Sequence, residues 1–504
     1  MYTPTLAQAR RLVGTARYAP VYREILADLE TPVSAYLKLG GGRDSFLLES
    51  VEGGENVGRY SFIGRGPRDV LEIREDGATL ETPDGNRPIS YTDPLTLLDD
   101  LLGRNSIARL PGLPRFVGGA VGYFAWEIAR CFERLPAPDA DPLALPLARL
   151  MFIETLLVFD HSRRTIKAVT RMPLDGDLEA NYRAATQRVD ELLARLDTPI
   201  APDRLASVPN NAEGIGLHDR VQSNFTPSDY IKQVLKAKEY IKAGDIYQVQ
   251  IGQRFSLETT ATPFAVYRAQ RVLNPSPYMF FLDFGDYQLV GASPEILVLV
   301  EDGLVTTRPL AGTRWRGRTH EEDERIGQEL LSNEKECAEH VMLVDLGRND
   351  LGRVSEAGTV HVDQLMAIER YSHVMHIVSN VTGRLRKDLR PLDALRATFP
   401  AGTLSGAPKI RSMEIIAELE PDRRGPYGGA VGFLGWNGDV ETAITIRTAV
   451  MKGGKAYVQA AAGIVADSDP AFEYEETVNK SAAMLRGVIA AERASRETPI
   501  GRPV

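Results

Sequence analysis

Short apolar or alternating runs, separated by glycine, aspartate and proline, dominate the chain between residues 31 and 170. Runs of four to eight residues bounded by turn formers are typical of β-strands. The predicted strands include residues 34–39, 61–64, 70–74 and 156–160. Between residues 178 and 196 the apolar positions recur instead at helical spacing, which predicts a helix.

Residues 197–224 are rich in proline, asparagine, serine and glycine, which predicts a connector between two lobes. Beyond it, a helix is predicted to begin at a Ser228 cap and to end at Gly244. Strands and helices then intermix up to residue 493. The predicted organisation is therefore an N-terminal lobe over residues 20–175 and a second lobe over residues 225–493.

One short sequence occurs twice. Residues 116–126 read FVGGAVGYFAW, and residues 426–436 read PYGGAVGFLGW. Paired glycines inside apolar strand sequence indicate that another backbone or a ligand approaches closely. The two copies are predicted to form matching strands in two facing sheets.

Composition narrows the class of protein. The chain has 504 residues, 43% hydrophobic and 25% charged, which is enough for a sizeable core and two or three domains. A net charge of −9 without a long Lys/Arg run argues against a nucleic-acid partner. Two cysteines, Cys131 and Cys337, make a disulfide framework and a cysteine-ligated zinc site unexpected. Without a signal-peptide core or an apolar run of about 18 residues, we expect no membrane span and a cytoplasmic location.

Two Glu-x-x-Glu pairs are the strongest chemical signal. Glu336 and Glu339 lead into one predicted helix, and Glu473 and Glu476 lead into another. Residues three apart share a helix face, where like charges repel each other unless a cation lies between them. Oxygen ligands of this kind suit a hard ion such as Mg²⁺. Two solvated acidic faces would show the same pattern.

Two turn-like segments also place polar groups together. Gly312, Thr313 and Arg314 offer backbone N–H groups, a hydroxyl and a charge to an anion. A turn with solvated arginines fits the same residues. Glu295 follows a predicted strand in a small-residue setting, where burial would keep it protonated near neutral pH. A glutamate that caps a turn is the alternative.

Two further segments leave similar alternatives open. His376 lies in an apolar stretch, where a histidine is either a catalyst or a satisfied core residue. Residues 402–409 place a Gly/Ser/Thr turn ahead of a predicted helix. The exposed N–H groups of such a turn receive anions, although helix capping explains the sequence equally well.

Five motifs follow one another along the chain: GASPE, PLAGTR, EHVMLVDLGRND, GTLSGAPK and AGIVADS. Together they resemble the chorismate-utilising enzymes, and most closely the large subunits (component I) of anthranilate synthases, over residues 31–493. The resemblance implies an α+β fold with two large, mostly antiparallel sheets packed face to face and helices on the outer sides. It also implies that the second lobe binds chorismate and carries the chemistry.

The resemblance assigns roles to the candidate residues. Four glutamates are implied to hold Mg²⁺ against the ring carboxylate of chorismate, the first two most directly: Glu339, Glu476, Glu336 and Glu473. The implied substrate-binding residues are Gly312, Thr313, Thr403, Tyr427, Arg447, Ala461, Ala462 and Gly463. The family often has Gly-Ala-Gly at the last three positions, so Ala461 departs from the pattern whereas Gly463 keeps it.

The implied reaction has two steps. Ammonia adds at ring C2 as the C4 hydroxyl leaves, with Glu295 as the general acid. Loss of the C2 proton and of pyruvate then gives anthranilate. His376 is implied to orient the reacting ring or to transfer a proton, and Thr313 is counted among the catalytic residues as well as the ring-binding ones.

Two positions separate this chain from related enzymes. Aminodeoxychorismate synthases typically have a nucleophilic lysine at the position of Ala311. Isochorismate and salicylate synthases have a lysine base where this chain has Gln248. Both residues favour ammonia as the nucleophile and elimination as the outcome. An aminodeoxychorismate synthase and a catalytically silent, tryptophan-binding regulatory protein remain the alternatives.

The resemblance also implies a regulatory site and a partner. Residues matching Ser50, Pro277, Tyr278 and Met279 bind tryptophan as a feedback inhibitor in that family. Neither cysteine lies in the Gly-x-Cys-x-Gly sequence of a glutamine amidotransferase. We therefore expect ammonia to come from a separate glutaminase subunit that docks on this chain.

Overall fold

The structure, a computed structural model, describes residues 1–50, 58–103, 105–201, 216–217, 220–371 and 374–497. The first twelve strands are β1 (Tyr18–Leu26), β2 (Ser45–Glu49), β3 (Tyr60–Arg65), β4 (Asp69–Arg74), β5 (Gly77–Thr82), β6 (Gly85–Ile89), β7 (Gly119–Phe124), β8 (Ala148–Ile153), β9 (Thr155–Asp160), β10 (Thr165–Pro173), β11 (Val221–Ser223) and β12 (Gln248–Glu258). The remaining strands are β13 (Tyr278–Asp283), β14 (Tyr287–Ser293), β15 (Ile296–Glu301), β16 (Leu304–Thr307), β17 (Leu310–Trp315), β18 (His361–Arg370), β19 (Val374–Arg384), β20 (Gly406–Ala407), β21 (Ala430–Gly435), β22 (Val440–Ile444), β23 (Thr448–Lys452) and β24 (Lys455–Ile464).

Helices connect these strands. The α-helices are α1 (Leu6–Arg10), α2 (Pro32–Leu39), α3 (Pro94–Gly103), α4 (Leu178–Ala194), α5 (Pro227–Ala243), α6 (Pro263–Leu273), α7 (His320–Leu331), α8 (Glu334–Gly352), α9 (Pro391–Thr398), α10 (Lys409–Leu419) and α11 (Pro470–Glu497). Short 3₁₀ helices occupy Trp126–Cys131, Arg195–Asp197 and Gly402–Leu404. No helix in these described ranges is long and apolar enough to cross a bilayer.

The strands form two twelve-stranded antiparallel sheets. The first has the order β1-β10-β9-β3-β2-β13-β14-β23-β24-β12-β11, with β20 also on β12. The second has the order β17-β19-β16-β15-β22-β21-β7-β8-β4-β5-β6, with β18 also on β19. Side chains of both sheets share the main core, where Phe62 of β3 packs edge-on against Phe433 of β21. The α+β fold with two large antiparallel sheets is confirmed.

Both sequence regions contribute to both sheets. The strands β2 and β13 join them in the first sheet, and β7 and β21 join them in the second. The division into residues 20–175 and 225–493 stays a prediction. Residues 202–215 and 218–219 of the predicted connector lie outside the described residues, and its Val221–Ser223 segment forms strand β11 against β12.

The repeated glycine sequence lies in a single sheet. Its two copies form β7 and β21, which are antiparallel neighbours with Gly122 opposite Gly432. The prediction of two facing sheets is therefore wrong. The predicted close approach is confirmed, because a Cβ built on Gly119 would lie 2.0 Å from the Leu434 carbonyl oxygen.

Capping residues explain two wrong element predictions. Residues 34–39, predicted as a strand, belong to helix α2, because Thr31 and Ser34 form a reciprocal capping box and Gly40 ends the helix in a left-handed conformation. The cap of α5 is Thr226, whose hydroxyl accepts from Asp229 N, and Pro227 takes the first helical position instead of Ser228 capping. The other predicted strands lie in β3, β4 and β9, and the helix predicted between residues 178 and 196 is α4 with the short 3₁₀ turn that follows it.

Candidate active site

Two helix starts carry the paired glutamates. Helix α8 begins after Asn333, whose side-chain oxygen accepts from Glu336 N at 3.0 Å. Helix α11 begins after Asp469, whose carboxylate accepts from Ala471 N and Phe472 N at 3.0 and 2.9 Å. Because each cap fixes the first turn of its helix, both Glu-x-x-Glu pairs have a defined orientation.

Cationic and amide groups surround the paired carboxylates. Arg314 of β17 lies 3.1 Å from Glu336 Oε1, and Gln248 Nε2 donates to Glu339 Oε1 at 3.4 Å. Lys480, one helical turn after Glu476, lies 2.6 Å from it and donates to the Ala461 carbonyl at 2.9 Å. Lys480 thereby ties α11 to the β24 segment expected to bind substrate.

Electrostatics connect the two pairs. Burial raises the pKa of Glu339, and the charge of Glu336 adds to this rise, whereas Lys480 opposes it. Burial also raises the pKa of Glu473 to about 7, with the charge of Glu476 contributing. Lys480, the ion-pair partner of Glu476, therefore also acts on the charge of Glu339. The two glutamate pairs consequently lie in one region of negative charge.

The residues at this position fit Mg²⁺ only in part as a preformed site. Within the described ranges, no three His, Cys, Asp or Glu side chains are close enough to hold a metal by themselves. Glu473 is 6% exposed, and its Oε2 has no hydrogen-bond partner in the described part of the chain. A buried carboxylate oxygen without a donor suits a hard cation that has few protein ligands and shares its coordination with an anionic substrate.

Gly463 lies close against two amide side chains of strand β12. It lies opposite Gln250 in the β12–β24 ladder, and a Cβ built on it would lie 2.8 Å from both Gln248 Nε2 and Gln250 Nε2. Any side chain would therefore displace the two amides. Glycine leaves room there for backbone and amide N–H groups to reach a ligand.

Tyr427 and Arg447 lie near this end of strand β24. The Ala461 N–H bonds to the Tyr427 hydroxyl and opposes the rise in its pKa that burial causes. Arg447 adopts a left-handed conformation with φ of 49°, which is strained for a non-glycine residue. Its charge lowers the pKa of both Tyr427 and His376. The Thr445 hydroxyl nearby is buried without a hydrogen-bond partner in the described residues.

The contacts of His376 define its tautomer. Its Nδ1 lies 2.8 Å from the Gly312 carbonyl oxygen and 3.2 Å from Thr313 Oγ1. Because a carbonyl oxygen only accepts, Nδ1 carries the hydrogen and Nε2 carries the lone pair. Burial lowers the pKa of His376 below its usual value of 6.5. The imidazole is therefore neutral at pH 7 and able to accept a proton at Nε2.

Glu295 occupies a different environment. Its side chain is 8% exposed, and burial raises its pKa to about 8. Thr403 Oγ1 lies 3.2 Å from Oε1 and 3.4 Å from Oε2. Glu295 also lines a cavity of about 460 Å³ that reaches Tyr278 and Tyr371. A carboxyl group that keeps its proton at neutral pH can serve as a general acid.

The predicted inhibitor residues lie at the neighbouring ends of strands β2 and β13, and two of them line this cavity. Ser50 directly follows β2, and Met279 of β13 pairs with Glu49, the last residue of β2. Pro277 and Tyr278 line the same 460 Å³ cavity as Glu295. The Ser50 hydroxyl is buried and has no partner in the described ranges. A buried hydroxyl without a partner suits a ligand with polar groups.

Three site residues escaped the sequence reasoning. Lys480 carries a usable signal, because it lies four residues after Glu476 on the same helix face. Gln250 alternates with Gln248 along β12 and therefore shares its face of the sheet. Arg424 lies on a loop beneath the site and has no periodic pattern that would reveal it.

Comparisons with known proteins identify the family. The model of chorismate binding enzymes matches residues 43–486. The chain is 49% identical to anthranilate synthase component 1 of Acetivibrio thermocellus, covering 97% of this chain and 99% of the relative, and 51% identical to that of Pseudomonas aeruginosa, covering 94% and 96%. The crystal structure of anthranilate synthase component I from Streptococcus pneumoniae superimposes with a TM-score of 0.75 at 37% identity, covering 92% of this chain and 99% of that one. The chain therefore belongs to the chorismate-binding enzymes and, within them, to the anthranilate synthase component 1 family.

Proposed function

We propose that this chain converts chorismate and ammonia into anthranilate and pyruvate in the presence of Mg²⁺. The observation that carries the proposal is the separation of proton donor from proton acceptor: Glu295 keeps its proton at neutral pH, and His376 is neutral with its lone pair on Nε2. Membership in the anthranilate synthase component 1 family supports the choice of substrate and product.

In the first step, ammonia forms a bond to ring C2 while the C4–O bond breaks. The leaving hydroxyl takes the proton of Glu295 and departs as water, which leaves Glu295 as a carboxylate. The ammonium group formed at C2 then releases one proton to solvent and becomes the amine. Thr403, which lies within hydrogen-bond distance of both Glu295 oxygens, stabilises that carboxylate. Neither Gln248 nor Ala311 can act as a base or nucleophile, so no protein side chain competes with ammonia at these positions.

In the second step, His376 Nε2 accepts the C2 proton. The bond between C3 and the enolpyruvyl oxygen breaks, the ring becomes aromatic, and the released enolpyruvate gains a proton and becomes pyruvate. Thr313 and the Gly312 carbonyl hold the imidazole through Nδ1 while it receives the proton. The resulting imidazolium is more stable beside the carbonyl oxygen that its Nδ1–H contacts.

The remaining candidate residues bind substrate or metal in this proposal. Glu339 and Glu476 would hold Mg²⁺, with Glu336 and Glu473 nearby, and Mg²⁺ would neutralise and fix the ring carboxylate of chorismate. Arg447, Tyr427 and Gly463 would bind the enolpyruvyl carboxylate. The residues expected along the ring are Gly312, Thr313, Thr403, Ala461 and Ala462.

We also expect a separate glutaminase subunit to supply the ammonia. The relatives are components numbered 1, which implies a second component. The cytoplasmic location stays a prediction. Copurification with an amidotransferase subunit, together with glutamine-dependent activity only in the complex, is the expected result; full glutamine-dependent activity of this chain alone would contradict it.

Tryptophan inhibition is the expected regulation. Ser50, Pro277, Tyr278 and Met279 would hold the inhibitor next to the cavity that Glu295 lines. We expect saturating tryptophan to suppress activity in the wild-type chain and to have less effect in Ser50→Ala, whose activity without tryptophan should match the wild type. Activity that is unchanged at saturating tryptophan would refute this assignment.

Product identification tests the proposed function. The purified chain is incubated with chorismate, Mg²⁺ and excess ammonium at mildly alkaline pH, and products are separated against ortho and para aminobenzoate standards. We expect anthranilate and an equal amount of pyruvate. A para-amino product would indicate an aminodeoxychorismate synthase, and no turnover would indicate the silent regulatory protein.

A further inference from the structure

The loop between α10 and β21 carries a completely buried arginine. Arg424 is 2% exposed and is among the largest buried side chains in the described chain. Its Nε and Nη2 donate to the two carboxylate oxygens of Glu420 at 2.9 and 2.6 Å. A buried guanidinium with one carboxylate partner still has N–H groups that need acceptors.

Those N–H groups reach two elements of the active site. Arg424 Nη1 donates to the Leu404 carbonyl at 2.8 Å, and Nη2 donates to the Gln250 carbonyl at 2.9 Å. Leu404 directly follows Thr403, the hydrogen-bond partner of Glu295. Gln250 carries one of the two amides that face Gly463.

A third contact involves a substrate-binding candidate directly. The guanidinium carbon lies 5.6 Å from the centre of the Tyr427 ring and 4.2 Å from that of Trp126. On the other side, Glu420 Oε1 accepts from Gly252 N at 2.7 Å. The pair formed by Arg424 and Glu420 therefore connects the 402–404 turn, strand β12 and the Tyr427 loop.

The N-terminal part of the chain holds this loop in place. The buried carboxylate of Glu127 accepts from Arg424 N at 2.8 Å and from Gly425 N at 3.1 Å. Trp126 N donates to the Gly425 carbonyl at 2.8 Å. Trp126 and Glu127 both follow strand β7, which pairs with β21 through glycines. This pairing brings the two residues next to the Arg424 loop.

We infer that Arg424, held by Glu420, is a positioning residue that sets the distances between the 402–404 turn, strand β12 and the Tyr427 loop around the expected chorismate site. The inference rests on the proposed function. A planar guanidinium with donors in fixed directions sets such distances better than an ammonium group does. The turn and the loop carry the substrate-binding candidates Thr403 and Tyr427, and Gln250 of β12 faces Gly463. Displacement of these three elements should therefore weaken chorismate binding in particular.

The test compares two neighbouring arginines. Arg424→Lys keeps a positive charge opposite Glu420. A single ammonium group cannot bond to the Glu420 carboxylate and to the carbonyls of Leu404 and Gln250 in the way that the planar guanidinium does. Arg423→Lys is the matched control, because Arg423 bonds to the Pro138 carbonyl and Glu75 on the outside of the loop. Steady-state kinetics with chorismate, at saturating ammonium and Mg²⁺, gives KM and kcat for each variant, and thermal unfolding gives Tm.

We expect Arg424→Lys to raise the KM for chorismate about tenfold while kcat stays within about threefold, since small misplacements around a bound substrate have large effects. Arg423→Lys should match the wild type. A purely structural role would instead reduce the folded fraction, which lowers kcat and leaves KM unchanged. That result, or a folded Arg424→Lys with wild-type KM and kcat, would overturn the inference.

A second variant covers the case in which Arg424→Lys does not fold. Glu420→Gln keeps the shape of the partner and weakens its hold on Arg424, so we expect a rise in KM of about threefold to tenfold. A folded Glu420→Gln with wild-type KM would overturn the inference. A wild-type chain that makes no anthranilate would refute the proposed function instead, which keeps the two failures distinct.

Discussion

Glu295 and the two Glu-x-x-Glu pairs place the same residue type in two different surroundings. Glu295 is buried, has a threonine hydroxyl as its partner and has no ion pair in the described part of the chain. Glu336 and Glu476, by contrast, each lie within 3.1 Å of a cationic nitrogen, from Arg314 and Lys480. The first environment favours a neutral acid, whereas Glu336 and Glu476 are ion-paired. Burial raises the pKa of their pair partners Glu339 and Glu473, which a bound cation would have to keep charged.

The difference shows how environment assigns chemistry to one side chain. A carboxyl with a pKa of about 8 keeps a proton to give to a leaving hydroxyl. Carboxylates on the first two turns of helices with fixed starts have a defined direction and suit metal binding. The residue type is the same in both places, so its surroundings decide whether a glutamate donates a proton or binds a metal ion.

The largest loss of activity is expected when a glutamate of the Glu-x-x-Glu pairs is removed. Glu476→Ala should lower kcat/KM about 10³-fold or more, because several kcal/mol of charge neutralisation on the substrate are lost. Glu475→Ala is the matched control, since Glu475 is exposed on the same helix. Steady-state kinetics across a Mg²⁺ titration measures both. An active Glu476→Ala with normal Mg²⁺ dependence would contradict the metal assignment.

A smaller loss is expected at the neutral acid. Glu295→Gln should lower kcat about 10²- to 10³-fold with little change in the KM for chorismate, because the amide keeps the shape and cannot donate a proton of the required acidity. The Mg²⁺ dependence should stay that of the wild type. A Glu295→Gln variant with wild-type kcat would show that another group protonates the leaving hydroxyl.

The same substitution, Glu295→Gln, should lower activity but raise the stability of the fold at alkaline pH. The unfolded chain releases this proton near its ordinary pKa of 4.5, whereas the folded chain keeps it up to about 8. The folded state is therefore progressively destabilised as pH rises between these values, by on the order of a few kcal/mol at pH 8. Glu295→Gln removes this cost. Denaturant unfolding should show the variant to be more stable than the wild type at pH 8 and equal to it below pH 4.5.

The smallest predicted effect is a shift in a pH profile. Because Glu295 must be protonated to act, kcat of the wild type should fall as pH rises through about 8. The Thr403 hydroxyl lowers this pKa, so Thr403→Val should move the fall in kcat to higher pH. An unchanged profile in Thr403→Val would separate the fall in kcat from Glu295.

Sequence patterns predicted the family better than they predicted local structure, and the roles of the site residues stay predictions. The spacing of Glu336 and Glu339 revealed a shared helix face, and the motif order identified the family. The protonation state of Glu295 could not be predicted in the same way, because it depends on burial. The residues that bury this side chain come from elements distant in the chain, and nothing in GASPE fixes its pKa. Arg424 was missed for the same reason, since its partners Leu404 and Gln250 lie 20 and 174 residues away.

The prediction of local structure was wrong where helix-capping residues outweighed the hydrophobic pattern. Residues 34–39 have the alternation of a strand, but Thr31, Pro32 and Gly40 make them a helix. The repeated glycine sequence was assigned to two sheets because a sequence alone gives no pairing partners. Its copies pair with each other at the seam of a single sheet.

The protonation state of Glu295 tests the central claim most directly. Infrared difference spectra of the wild type and of Glu295→Gln, recorded from pH 6 to pH 9.5, isolate its carboxyl band from those of other buried acids such as Glu127. We expect a protonated carboxyl C=O band that is absent in Glu295→Gln and disappears with a midpoint near pH 8. A band that is already lost at pH 6 would show Glu295 to be ionised, and the distinction between the two glutamate environments would fail.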